Sequence, residues 1–218
     1  DTGFNVSVSC ASGYEGSALA IPCRIHNEDY TLTGCTPIVC NSKLDGGSTG
    51  TVSGYTITEN QLNVASTFSV TVEDSCATGY EGRPSSATAC TTHGGEYTLS
   101  GCSPIVCTTP TDTTKYRIRA QRNLDLSTGA LDIDVVCAPG YQGSASATEC
   151  GSSGPYGLIG CTACQLVNPT ADRYGYSSGG NASTCIPHTI CGAGNYPIIP
   201  GDTTRDHICA NCPNGKYS

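Results

Sequence analysis

The sequence contains no Met and no Trp, and with two Phe its aromatics reach only 6 % of 218 residues. A chain so poor in large apolar side chains is not expected to fill one large core, and several small modules are expected instead. Basic residues are also few, ten Lys plus Arg against 18 Asp plus Glu, for a formal charge of −8. Only Lys115, Arg117, Arg119 and Arg122 stand close together, which argues against a phosphate-binding surface and against a nucleic-acid partner. No apolar run approaches the ~20 residues that span a bilayer, so no membrane span is expected in this segment. An initiating Met and a signal peptide are missing, so a mature, processed or partial chain is expected.

Cysteine and glycine are what the chain has in quantity, 16 and 27 residues respectively, alongside 12 Pro. That much Cys is unusual in a reducing cytosol outside a metalloprotein, and small modules commonly replace missing core with disulfides. An extracellular location, secreted or at the cell surface, is therefore expected. No segment shows sustained helical periodicity, and Gly, Pro, Ser and Thr favour short strands and turns. The fold class expected is all-β: tandem disulfide-stapled modules in an elongated rod, with an irregular cysteine-rich module at the C-terminal end.

One stretch occurs three times. Residues 13–40 read GYEGSALAIPCRIHNEDYTLTGCTPIVC, residues 79–107 read GYEGRPSSATACTTHGGEYTLSGCSPIVC, and residues 140–164 read GYQGSASATECGSSGPYGLIGCTAC. A segment that returns with its cysteines, glycines and tyrosine in register is one structural unit used repeatedly. Gly79, Gly82 and Gly101 read as turn positions, Tyr80 and Tyr97 as packing for a small core, and SPIV as a four-residue spacer.

Strand patterns precede each copy. In DTGFNVSVSC, Phe4, Val6, Val8 and Cys10 fall on one face, which predicts a half-buried strand over residues 1–10. Asn5-Val-Ser is a glycosylation sequon, and the alternation points Asn5 to solvent. Ahead of the second copy, YTIT predicts a short strand, and FSVTVEDSC places Phe68, Val70, Val72 and Cys76 inward. Ahead of the third, KYRIRA and ALDIDVVC predict two strands with Tyr116, Ile118 and Ala120 on one face and Leu131, Ile133, Val135 and Cys137 likewise. Antiparallel pairing would set Arg117 and Arg119 near Asp132 and Asp134, where each cross-strand pair contributes ~0.2–1 kcal/mol.

The cysteines divide the chain further. Cys40, Cys76, Cys90 and Cys102 form one set; Cys107, Cys137, Cys150 and Cys161 form the next, with closely similar spacings. The order is a two-strand leader, a Cys, GY-x-G, a Cys, an aromatic, then Gly-Cys. Four cysteines allow three connectivities, so spacing alone leaves the pairing open. Over roughly residues 1–161 this pattern resembles the sushi, or complement control protein, module, which places a Cys before GY-x-x-G. The resemblance implies first-to-third and second-to-fourth bonds: Cys40–Cys90, Cys76–Cys102, Cys107–Cys150 and Cys137–Cys161. Each would close a loop of ~25–50 residues and contribute ~3–4 kcal/mol by restricting the unfolded chain. The Trp that the family carries before its last cysteine is missing; Tyr30, Tyr97 and Tyr156 stand near that position, each expected to pack beside a disulfide.

The first copy holds only the counterparts of the second, third and fourth cysteines. The resemblance implies Cys10–Cys35 and leaves Cys23 without a partner in its module, to be bonded by an upstream segment or by another subunit. The tail carries Cys164, Cys185, Cys191, Cys209 and Cys212. Its CGAGNYPIIPGDTTRDHICANCPNGKYS resembles tumour-necrosis-factor-receptor-like and ephrin-receptor-like cysteine-rich repeats. The pairing expected there is Cys164–Cys185 and Cys191–Cys209, with the partner of Cys212 outside the chain. Asn181-Ala-Ser is a second sequon in a Gly/Ser-rich loop. The modules expected are thus 1–39 (partial), 40–106, 107–161, and a receptor-like 162–218, incomplete at its end.

Catalytic patterns are missing. His26, His93, His188 and His207 are isolated, and no H-E-x-x-H, G-x-S-x-G or P-loop pattern occurs. The C-x-x-C pairs Cys161/Cys164 and Cys209/Cys212 lie where module boundaries fall, which favours structural disulfides over zinc or redox chemistry. Asp125, Asp132 and Asp134 lack EF-hand spacing, and Asp202, Arg205 and Asp206 read as a brace for the loop before Cys209. No enzyme, metal or cofactor is expected. Mixed modules of this kind resemble the large surface glycoproteins of protists and algae, including flagellar-hair (mastigoneme) proteins. That resemblance implies a structural, self-assembling filament or appendage subunit whose partners are copies of itself. An adhesin or receptor ectodomain binding a protein or glycan is the alternative, and an inhibitor or toxin-like protein a third.

Overall fold

The structure is a computed structural model and describes residues 3–164, 175–180, 183–199 and 201–213. It is all-β, built of small sheets of two or three strands stapled by seven disulfides. The chain divides into two compact units, Asp1–Pro104 and Ile105–Ser218.

In the first unit, β1 (Tyr14–Ile21) pairs antiparallel with β2 (Thr31–Pro37). A three-stranded sheet of β3 (Thr49–Val52), β4 (Tyr55–Gln61) and β5 (Ser69–Cys76) follows, then a short antiparallel pair, β6 (Tyr80–Gly82) with β7 (Cys102–Pro104). The one helical turn among the described residues, Val64–Ser66, is capped by the Asn63 side chain, which accepts from the Ala65 N–H at 3.0 Å. The core gathers Tyr55, Ile57 and Tyr97 around Cys40 and Cys90, with Phe68, Val70 and Val72 packed against it.

The second unit repeats the plan. β8 (Cys107–Thr108) runs parallel to β12 (Gly154–Pro155); β9 (Tyr116–Asn123) pairs with β10 (Asp132–Cys137); β11 (Tyr141–Thr148) pairs with β13 (Gly157–Ala163). The tail adds β14 (Gly175–Tyr176) with β15 (Ile186–Pro187) and β16 (Asn195–Ile199) with β17 (Ile208–Asn211).

Several expectations change. Residues 3–10 form no strand, and Phe4 and Val6 are exposed. Alternation says which side chains share a face, but a strand also needs a hydrogen-bonding neighbour, and none pairs with this segment among the described residues. Arg117 and Arg119 do not form the ion pairs with Asp132 and Asp134. Bulges between Asp132 and Ile133 and between Asp134 and Val135 shift the register, so Asp132 faces Asn123 and bonds Arg122 at 2.9 Å. Both partners are exposed, which limits the pair to ~1 kcal/mol at most. Tyr30 is exposed, edge-on to Phe4 at 5.7 Å, whereas Tyr97 and Tyr156 are fully buried. Burial needs a leader sheet over the ring, and among the described residues those two copies have one.

The recurring motif owes its form to two glycines that face each other. In β1–β2, β6–β7 and β11–β13 the register is the same: Gly16, Gly82 and Gly143 lie opposite Cys35, Cys102 and Cys161. The glycine before each of those cysteines packs back onto the other strand. A Cβ on Gly82 would lie 2.1 Å from the Gly101 oxygen, and one on Gly101 would lie 1.9 Å from the Arg83 oxygen. Both have positive φ, 114° and 105°. Gly82 closes β6 and Gly101 is the bend that enters β7, so both are positions of close backbone contact and not only turn residues. Gly82→Ala or Gly101→Ala should therefore lower stability of the first unit by roughly 3 kcal/mol or more, through clash and backbone strain. Gly151→Ala, where a Cβ meets nothing within 4 Å, should stay within about 0.5 kcal/mol in the same thermal or denaturant unfolding measurement.

Candidate functional site

The covalent frame is the most strongly built feature. Disulfides join Cys10–Cys35, Cys40–Cys90, Cys76–Cys102, Cys107–Cys150, Cys137–Cys161, Cys164–Cys185 and Cys191–Cys209. Cys23 and Cys212 are free; Cys23 is exposed and Cys212 half-buried. The two C-x-x-C pairs are split, since Cys161 and Cys164 belong to different bonds and Cys209 bonds Cys191. Asn5 is exposed, and Asn181 lies outside the described residues.

Around the second module's disulfide a polar network is set into the core. The Tyr97 hydroxyl donates to Glu59 Oε1 at 2.6 Å, Ser42 Oγ donates to Glu59 Oε2 at 2.6 Å, and the Lys43 N–H donates to Oε1 at 2.9 Å. Lys43 Nζ also bonds Glu96 at 2.5 Å and lies 5.4 Å from the Tyr97 ring centre. Burial pushes the Glu59 carboxyl up, but the bonds from Ser42, Tyr97 and Lys43 outweigh it, so its pKa falls below the ordinary value. Burial and the Glu59 bond push the Tyr97 hydroxyl well above its usual range. In the third module the same ring position, Tyr156, is buried with no hydrogen-bond partner for its hydroxyl among the described residues. Sequence reasoning missed this network, because the short strand expected there, YTIT, ends before Glu59.

The joints between modules are also built rather than merely tethered. In the first unit the Ile38 N–H donates to the Gly13 oxygen at 2.8 Å, and the Val64 N–H donates to the Ile38 oxygen at 2.9 Å. The His93 N–H donates to Glu15 at 3.0 Å. In the second unit the Cys164 N–H donates to Gly140 at 2.9 Å, the position equivalent to Ile38 and Gly13. Gly140 in turn donates to Ser177 at 2.8 Å, and Gly180 donates to Cys137 at 3.0 Å, which ties the tail to the third module. The residues read as spacers are core: Ile38 is buried beside Cys40 and Ile105 beside Cys107.

The tail holds a compact polar cluster. Asp206 accepts from the Thr189 hydroxyl, the Thr189 N–H at 2.7 Å and the His207 N–H at 2.7 Å, and bonds His188 Nδ1 at 3.2 Å. Hydrogen bonding from Thr189 foremost holds its carboxyl far below the ordinary range. His188 is buried, stacked on Tyr176 at 5.3 Å and tilted against His207 at 4.6 Å. Asp202 caps the turn at Thr204 and pairs with Arg205 at 3.2 Å. Among the described residues no group of three His, Cys, Asp or Glu is placed to hold a metal ion, and no helix is long and apolar enough to cross a membrane.

No known family matches the chain, and no curated protein or solved structure is similar to it beyond chance.

Two measurements separate these readings of the core. Tyr97→Phe removes a donor from a carboxylate and should cost about 1–3 kcal/mol, whereas Tyr156→Phe removes a buried hydroxyl without a partner and should be neutral or stabilising. Glu59 also fixes a pH dependence. Its folded pKa is the lower one, so the unfolded chain takes up the proton first as pH falls. The stability it contributes is present above the ordinary carboxylate pKa and is lost below it. Unfolding midpoints between pH 6 and about 2 should therefore fall less steeply for Glu59→Gln than for the unsubstituted protein.

Proposed function

We propose that the chain is a structural segment of an extracellular glycoprotein filament or surface appendage, assembling with copies of itself through its repeated modules. The observation that carries this reading is the joint. Ile38 on Gly13 and Cys164 on Gly140 repeat one backbone hydrogen bond where successive modules meet, and the connectors are absorbed into the following cores. Joints made this way hold neighbours in fixed register, which suits spacing and mechanical work. Seven disulfides in a chain of this size are typical of extracellular or secreted proteins, and the exposed Asn5 sequon would carry a glycan there. The small sheets and cysteine sets accord with the resemblance to sushi and receptor-like cysteine-rich modules.

An adhesin or receptor ectodomain is the second reading. It draws on exposed apolar side chains of the tail, Ile190, Ile186, Ile208 and Ile198, which a protein ligand would cover.

Negative-stain electron microscopy of the concentrated protein distinguishes the two. Regular helical polymers are expected for the filament subunit. A monodisperse monomer at the highest attainable concentration, with a soluble protein or glycan captured through Ile190 and Ile198, would establish the receptor reading in its place.

A further inference from the structure

The first copy differs from the other two in a way that defines a partner. In the second module Cys90 is bonded to Cys40, and in the third Cys150 to Cys107. The equivalent Cys23 is free and exposed. In those modules the aromatic and leucine after the third cysteine are covered: Tyr97 is 0 % and Tyr156 1 % exposed, and Leu99 and Leu158 pack against the cores. Tyr30 is 45 % and Leu32 63 % exposed. Val70 and Val72 stand in β5 because β4 pairs with them, Glu59 opposite Val70 and Ile57 opposite Val72. Counting back from the second cysteine, Phe4 and Val6 hold the same places, yet residues 3–10 have no strand partner among the described residues. A free cysteine, an uncovered apolar face and an unpaired strand-patterned segment thus share one missing element. That element is the cysteine-led leader, represented in the other copies by residues 40–62 and 107–125.

We propose that residues 4–35 are an acceptor face for a cysteine-led strand of the leader type. Its cysteine bonds Cys23, and its strand pairs with residues 4–10 and covers Tyr30 and Leu32. The chain's own two leaders are not available for the role, because Cys40 and Cys107 are already bonded within their modules. Both are engaged by the halves they cover, so the occupant is a further strand of this leader type. On this account Cys23 is a core cysteine of a module and not a cross-linking thiol. The inference is independent of the filament proposal.

A synthetic peptide of residues 38–63 serves as the probe, added to the intact 218-residue protein in a buffer of reduced and oxidised glutathione. Cys23 first exchanges with glutathione disulfide; the peptide's Cys40 thiolate then attacks that mixed disulfide and expels glutathione thiolate. A one-to-one adduct through Cys23 is expected, with hydrogen-exchange protection appearing over residues 4–10. Leu32→Asp, at an exposed position, should slow capture about tenfold, the scale of losing one buried leucine, while leaving the rate of Cys23 with glutathione unchanged. A scrambled peptide coupling as fast, capture without protection of residues 4–10, or no effect of Leu32→Asp would each overturn the proposal. So would dimers through Cys23 forming in preference to the peptide adduct, which would assign the face to another copy.

Discussion

The close approach of two backbones beside a disulfide is the constraint on which each module depends. Gly82 opposite Cys102, and Gly101 turned back onto Arg83, bring β6 and β7 together where any side chain would strike a carbonyl. The same contact holds Gly16 to Gly34 and Gly143 to Gly160. Once the strands cross there, the cysteine that follows is aimed at its partner at the end of the preceding strand, Cys76 for Cys102 and Cys137 for Cys161. Sequence reads this as a recurring GY-x-G and Gly-Cys; physically it is one backbone contact that tolerates only glycine, followed by one covalent bond.

Above that contact each complete module needs a lid. Tyr97 and Tyr156 are the largest fully buried side chains of cores built around a disulfide and a few further apolar side chains. Burial of such a ring is worth ~1.5–3 kcal/mol, comparable with one disulfide and too little to fold a module alone. Ring, bond and leader sheet therefore act together, and the first copy, lacking a leader within the described residues, leaves Tyr30 and Leu32 in solvent.

Much of this was legible in the residues. Strands at Ser69–Cys76 and Asp132–Cys137 follow from alternation, the short YTIT strand is the first part of Tyr55–Gln61, and the modular plan follows from the repeated cysteines and glycines. What was not legible depends on neighbours. The strand expected over residues 1–10 has the right pattern but no partner. The expected Arg117 and Arg119 pairs fail because two bulges move Asp132 to Arg122, and bulges leave no mark in a run such as LDIDVVC. Ile38 and Ile105 looked like spacers because they follow a closing cysteine and a proline; their burial is set by the module that comes next. Glu59 bonding Tyr97, in contrast with the unpartnered Tyr156 hydroxyl, requires knowing which strand crosses the ring.

The central claim, that a glycine contact and a fixed cysteine pairing define each module, is tested most directly by disulfide mapping of the unreduced protein by peptide mass spectrometry. The account predicts Cys10–Cys35, Cys76–Cys102 and Cys137–Cys161 as the bonds beside the facing glycines, Cys40–Cys90 and Cys107–Cys150 beneath the leaders, and a free thiol at Cys23. Cys23 bonded to Cys10 or Cys35, or Cys40 bonded to Cys76, would contradict it.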